Sequence, residues 1–254
     1  MSDLTGRVAI VTGGAIGLGA VYSQALASAG ATVIIADIAD ATDVVNSISE
    51  LCGPGKAFAI KTDVSDEESV EKLVAETMDK TGQIDIVVNN AAIFSVLPPA
   101  KCTEITVDLW DKIMAVNVKG SFLLAKHVAP HMIERKYGKI INIGSGTAYK
   151  GMSDLLHYVT SKGAIVSFTR ALARELGAFN ICVNTLSPGL VMSDSIVANE
   201  EHVNMYRAPV IGSRSIKRDS YPEDLVGGLL FLASADSDFY TGQNLVIDGG
   251  SVNT

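Results

Sequence analysis

The chain has 254 residues, 48% of them hydrophobic, with 28 acidic against 20 basic side chains and a formal net charge of −8. That acidic balance argues against nucleic acid or an anionic membrane surface as partner. No apolar run is long enough to cross a bilayer, and the first residues lead almost directly into a strand without a secretory signal, so a cytoplasmic protein is expected.

Three cysteines, Cys52, Cys102 and Cys182, are odd in number and far apart, which implies free thiols rather than a disulfide framework. The four histidines show no zinc-ligand spacing. His127 and His131 stand four apart, but no cysteine or acidic motif beside them completes a metal site. No metal is expected, and the histidines read as helix-surface residues.

Taken in order, Arg7 to Val11 is a short apolar strand, followed by a glycine turn and a helical pattern to about Ala29. Strand and helix then alternate: a strand from Ala31 to Ala36, a helix near Ala41 to Leu51, a strand from Ala57 to Ile60 and a helix from Asp66 to Lys80. A strand from Ile84 to Val88, a long helical region within Leu109 to Arg135 and a strand from Lys139 to Ile143 follow. A helix opening at about His157 runs to Gly177, then come a strand from Ile181 to Leu186, a helix near Glu223 to Ala233 and a last strand from Leu245 to Ile247. Continuous Val/Ile/Ala strands alternating with helices indicate a Rossmann-type, doubly wound parallel sheet of about seven strands with helices on both faces. No linker or repeat divides residues 1–254, so one domain is expected.

The turn Thr12-Gly13-Gly14-Ala15-Ile16-Gly17-Leu18-Gly19 lies between a strand and a helix, the context that lets a backbone approach a pyrophosphate. Its spacing, Gly13-x-x-x-Gly17-x-Gly19, departs from the general G-x-G-x-x-G. Asp37 ends the next strand, where a carboxylate can accept hydrogen bonds from a ribose diol. A 2′-phosphate would meet it as a like charge, with no lysine or arginine in the turn or beside Asp37, so NAD is expected over NADP. Tyr158 and Lys162, four apart on a helix, share one face. An ammonium so placed is expected to draw the phenol from its usual value of about 10 towards the range of an acid or base.

These motifs, with Asn89-Asn90-Ala91-Ala92, Ser145 thirteen residues before Tyr158, Asp63-Val64, Pro188-Gly189, Thr241-Gly242-Gln243 and Asp248-Gly249-Gly250, stand in the order of the short-chain dehydrogenase/reductase family, which the whole chain resembles. The resemblance implies that Tyr158 is the acid/base, that Lys162 lowers its pKa and holds the nicotinamide ribose, and that Ser145 holds the substrate oxygen. It implies that Asn117 positions a water in a proton relay. Gly13, Ile16, Gly17, Leu18, Gly19, Asp37, Ile38, Asp63, Val64, Asn90, Pro188, Gly189, Val191 and Ser193 would then surround the cofactor together with Tyr158 and Lys162. Ala92 stands where the family usually has glycine, and Ser193 where it usually has threonine. A homotetramer built on the two long helices is also implied.

The segment from Leu190 to about Tyr221 occupies the place of the family's substrate lid. With the neighbouring loops it offers Phe94, Thr147, Tyr149, Met152, Met192 and Tyr206, beside Ser145 and Tyr158, as a largely apolar substrate wall. Lys150, Arg207 and Arg214 are nearby cations with no assigned role. Ser145 to Lys150 and Phe168 to Ala173 are similar to the family's aryl-alkyl alcohol dehydrogenases. The expected activity is therefore NAD-dependent interconversion of a hydrophobic, aryl-alkyl or cyclic, secondary alcohol and its ketone. The alternative is a 3-oxoacyl-carrier-protein reductase using NADPH.

Overall fold

A computed structural model describes residues 3–252, the side chain of His202 excepted, so the expected surface position of that histidine lies outside what is described. Seven parallel strands form one sheet in the order β3-β2-β1-β4-β5-β6-β7. They are β1 Val8–Thr12, β2 Thr32–Asp37, β3 Ala57–Lys61, β4 Ile86–Asn89, β5 Gly138–Ile143, β6 Ile181–Pro188 and β7 Asn244–Ile247. The strand order reverses between β1 and β4, and the crevice at the carboxyl ends of those two strands is where an open α/β sheet receives a ligand.

Side chains alternate along each strand, yet both faces are apolar because helices cover both. On one face Ala9, Val11, Val33 and Ile35 pack against α1 (Gly17–Ser28), α2 (Thr42–Cys52) and α10 (Glu223–Ala233). On the other, Val8, Ile10, Ile34 and Val183 pack against α3 (Glu67–Thr81), α5 (Gly120–Arg135) and α7 (Leu156–Leu176). Each fully buried Leu, Ile or Val contributes about 1.5–3 kcal/mol. That burial, rather than helix propensity, holds these layers together.

The long helical region expected within Leu109 to Arg135 is interrupted. α4 (Val107–Met114) passes through a π-helical turn, Ala115–Lys119, before α5 begins. Such a turn re-aims one residue's side chain, here Asn117. Three short or peripheral helices complete the chain: α6 (Thr147–Lys150), α8 (Asp194–Val197) and α9 (Glu200–Ser213). The last two lie in the proposed lid segment.

Two polar features fix the frame. Asn89 donates to Asn142 (2.8 Å), Asn142 to Thr169 (2.8 Å), and Thr185 to Thr169 (2.8 Å), a buried chain linking β4, β5, β6 and α7. Outside the sheet, Glu67 and Glu71 of α3 face Lys126 and His127 of α5, with His127 Nε2 3.2 Å from Glu67 and 3.8 Å from Glu71. The acidic partners of His127 thus come from another helix, which spacing around the histidine does not disclose. Among the described residues no helix is long and apolar enough to cross a membrane.

Candidate active site

A cleft of about 750 Å³ opens at the carboxyl ends of β1 and β4. At one end α1 begins within the glycine turn. Its first turn has no acidic residue and Ile16 supplies no side-chain cap, so the leading N–H groups are donors without a capping side chain, as an anion site requires. Gly17 has φ +56°, and a Cβ on Gly19 would collide with the Gly13 carbonyl oxygen, so the turn closes only with glycine there. The Asn90 amide donates to the carbonyls of Thr12 (2.9 Å) and Gly13 (3.0 Å) and locks the turn from behind.

Asp37 forms the rim at the end of β2. Its carboxylate accepts from the N–H groups of Ala15 (2.9 Å) and Ala39 (2.9 Å), which fixes its orientation and leaves lone pairs on both oxygens. Lys112 and Lys162 are the cations that line the cleft among the described residues, and neither belongs to the β1–β2–β3 side. A dinucleotide fits these residues: a glycine turn with N–H donors for the pyrophosphate and a fixed carboxylate for a ribose.

At the other end stand Ser145, Tyr158 and Lys162, all buried. The Thr147 hydroxyl (2.9 Å) and N–H (3.2 Å) both donate to Ser145 Oγ. The serine's own hydrogen is therefore directed onward to the Tyr158 phenol, to which it is hydrogen-bonded. The Phe94 ring stacks on Tyr158 with centroids 4.4 Å apart. Lys162 Nζ donates to the Ile143 carbonyl (2.7 Å) and lies 5.8 Å from the Tyr158 ring centre.

The electrostatics correct one expectation. Burial raises the Tyr158 phenol to about 12, and the hydrogen bond from Ser145 only partly offsets it. Burial also lowers the Lys162 ammonium to about 8. In this state the lysine does not bring the phenol down: burial penalises the charged form of each group. Asn117 sits behind the cleft: its Oδ1 accepts from Ile93 N–H (2.8 Å), and its Nδ2 donates to Ile93 O (3.3 Å) and Ser161 Oγ (3.1 Å). Both amide hydrogens are committed, so the side chain offers none to Lys162.

His157 corrects a second expectation. It is fully buried beside Tyr158, its Nδ1 accepting the Tyr158 N–H at 2.8 Å, and burial holds its pKa below the usual histidine value.

All sixteen residues expected at the cofactor line the cleft, and so do Phe94, Ser145 and Tyr158 of the expected substrate wall. Thr147, Tyr149, Met152, Met192 and Tyr206 do not. Tyr206 and Met152 belong instead to an apolar cluster with Leu97, Ile113 and Leu155 behind the tyrosine, and Tyr149 is exposed. Conversely, Ser195, Ile93 and Lys112 line the cleft without having been singled out. A Cβ on Gly17 would lie 3.2 Å from Ser195 Oγ, so the first lid helix reaches the glycine turn.

Known proteins resemble this chain over nearly its whole length. The family model for enoyl-(acyl carrier protein) reductases matches residues 13–252. The NAD-dependent glycerol dehydrogenase of Listeria innocua serovar 6a is 34% identical over 252 residues, 98% of this chain and 94% of that one. This chain is a short-chain dehydrogenase/reductase. A subunit of (2S)-[(R)-hydroxy(phenyl)methyl]succinyl-CoA dehydrogenase from Thauera aromatica is 37% identical to it, covering 96% of each chain. The crystal structure of levodione reductase superposes with a TM-score of 0.91 at 27% identity, over 97% of this short-chain dehydrogenase/reductase and 98% of the other. As a family member the chain is an oxidoreductase that uses a nicotinamide dinucleotide, NAD or NADP.

Proposed function

We propose that this enzyme oxidises a hydrophobic secondary alcohol, aryl-alkyl or cyclic, to its ketone, or reduces the ketone, with NAD as cofactor. The observation that carries the substrate class is Phe94, stacked on Tyr158 at 4.4 Å and lining the cleft: an apolar ring stands where the carbinol substituent must lie. Enclosing an aryl group there stabilises binding by about 25 cal/mol for each Å² of apolar surface removed from water, whereas a polyol would leave hydroxyls without partners.

When bound, the dinucleotide supplies the hydride acceptor or donor, and its oxidised ring is cationic. The Tyr158 oxygen takes the hydroxyl proton from the alcohol or gives it to the ketone. Ser145, whose oxygen accepts from Thr147, turns its one hydrogen from the phenol to the substrate oxygen and stabilises charge developing there. Lys162 holds the nicotinamide ribose and passes the proton towards solvent. The Asn117 amide is committed to Ile93 and Ser161, so it offers no side-chain hydrogen to a relay.

Asp37 supports NAD. A carboxylate oriented by two N–H groups accepts from the ribose diol and repels a 2′-phosphate. The test is a spectrophotometric screen with NAD and NADP against 1-arylethanols, cyclic secondary alcohols and polyols, with acetoacetyl thioesters and NADPH as the competing assay. We expect NAD reduction with the arylethanol or cyclic alcohol, and a shift towards NADP in the Asp37→Ser, Ile38→Arg variant. Robust thioester reduction with NADPH, and none of the alcohol activity, would sink this reading.

For assembly we propose a homotetramer through α5 and α7. Phe122 of α5 is half exposed, and Leu156 begins α7 equally uncovered, which suits faces that meet another copy. Light scattering at micromolar concentration should give four times the 26.7 kDa chain mass. A monomer there refutes it.

A further inference from the structure

Arg214 and the Asp248-Gly249-Gly250 turn take no part in the chemistry above, yet both charged side chains are buried, 2% and 4% exposed. Arg214 follows α9, and its guanidinium donates through Nη2 to the Leu190 carbonyl and through Nη1 to the Arg218 carbonyl, each at 2.6 Å. One side chain thus joins the start of the lid segment to its end. The same base is closed by Met192 N–H on Ser220 O (2.8 Å), and by the N–H groups of Ser215 and Ile216, both on Gly249 O (2.9 Å). Asp248 is tied into its own turn, Oδ1 accepting from Gly250 N–H (3.0 Å) and Ser251 N–H (2.9 Å).

One polar atom remains on each side chain. Arg214 Nε and Asp248 Oδ2 are both buried and have no hydrogen-bond partner among the described residues. They are a donor and an acceptor of opposite charge, and their side chains press on one glycine. A Cβ on Gly189 would lie 3.0 Å from Asp248 Cβ and 3.3 Å from Arg214 Nη2. Two unpaired charged atoms in one buried place are costly; among the described residues they are not in direct ion-pair contact, and a bridge across one water relieves both.

We propose that Arg214 and Asp248 form a buried charge clasp across Gly189, and that both are positioning residues holding the base of the lid on the nicotinamide end of the cleft. Two contacts carry the effect to the site. Gly189 itself lines the cleft, and Gly146, next to Ser145, donates its N–H to Pro188 O at 2.9 Å. Asp248 Oδ2 faces that same residue, 3.3 Å from where a Gly146 Cβ would be. The clasp therefore bears on the end of β6 and on the serine loop together, while α8 and α9 lie outside it. The inference rests on reading the cleft as a dehydrogenase site.

The test measures NADH affinity by fluorescence, and kcat and KM for the alcohol, in Arg214→Met, Asp248→Asn and the double variant, each held well below its melting midpoint. Each single change should weaken NADH binding at least fivefold, and the double variant should bind no worse than the weaker single one. Arg214→Lys, which keeps the charge, should recover part of the loss. NADH affinity within twofold of wild type in both folded singles, or a double-variant loss equal to the product of the two single losses, overturns the clasp. Should Arg214→Met fail to fold, the isosteric Asp248→Asn carries the measurement alone. NADH binding is read without any substrate, so failure of the alcohol screen and failure of the clasp are separate results.

Discussion

Tyr158→Phe lowers turnover by about three orders of magnitude and leaves NADH affinity within about twofold of wild type. The variant keeps the ring, and with it the stacking on Phe94 at 4.4 Å, so the shape of the cleft is retained. It removes the oxygen that receives the hydrogen bond directed from Thr147 through Ser145. General acid–base catalysis by a positioned side chain is worth roughly 10²–10⁴-fold, and no second hydroxyl takes over, because Ser145 is oriented as a donor. The pH profile should change as well. Burial holds the phenol at about 12 before the cofactor binds, so alcohol oxidation by wild type should climb with pH over the whole neutral range. The residual rate of Tyr158→Phe should be flat there. A variant keeping more than a tenth of the wild-type rate would remove Tyr158 from the mechanism.

The nucleotide end of this molecule was legible because its chemistry is local. A glycine turn between a strand and a helix, and an acid at the end of the next strand, occupy short stretches whose geometry follows from backbone sterics. The substrate wall was not, because an apolar side chain beside a site does not say which way it faces. Met152, Tyr206 and Phe94 all pack in one cluster with Leu97, Leu155 and Tyr158, yet of the three only Phe94 also lines the cleft. Ser195 was missed for a related reason: only the placement of α8 against Gly17 makes it a cleft residue. The π-helical turn at Ala115–Lys119 left no mark on the periodicity of a 3.6-residue pattern, although it is what brings Asn117 to Ile93. His157, polar and next to an exposed Leu156, reads as a surface residue, yet the backbone at the start of α7 buries it. Charge posed the same difficulty. The i,i+4 spacing of Tyr158 and Lys162 gives their proximity but not the desolvation that raises one and lowers the other.

Lys162→Met should abolish measurable turnover and, unusually for a buried substitution, leave the fold as stable as wild type or more so at neutral pH. The lysine is 3% exposed, and among the described residues its ammonium has one hydrogen bond, to the Ile143 carbonyl at 2.7 Å. Its pKa falls from 10.5 to about 8 because burial penalises the charge. Below pH 8 the folded and unfolded chains both hold the proton, and the native state bears the whole cost, roughly 3 kcal/mol at 1.36 kcal/mol per pKa unit. Between pH 8 and 10.5 the unfolded chain holds a proton that the native one has lost. Stability from this group therefore rises with pH through that window, is fully present above 10.5, and is lost again as pH falls to 8. Methionine matches the length of the chain without the charge, so the penalty vanishes, while the Ile143 carbonyl loses a donor at a cost of about 1–3 kcal/mol. The two terms nearly cancel at pH 7, with a net gain of up to about 2 kcal/mol. At pH 10 most of the lysine's penalty is gone in wild type, and the balance should swing against the variant. Urea unfolding of both proteins at pH 7 and pH 10 gives the comparison. A variant much less stable than wild type at pH 7, with the same deficit at pH 10, would mean that the ammonium is not paying a desolvation cost and that its partner in the folded enzyme is something other than the Ile143 carbonyl.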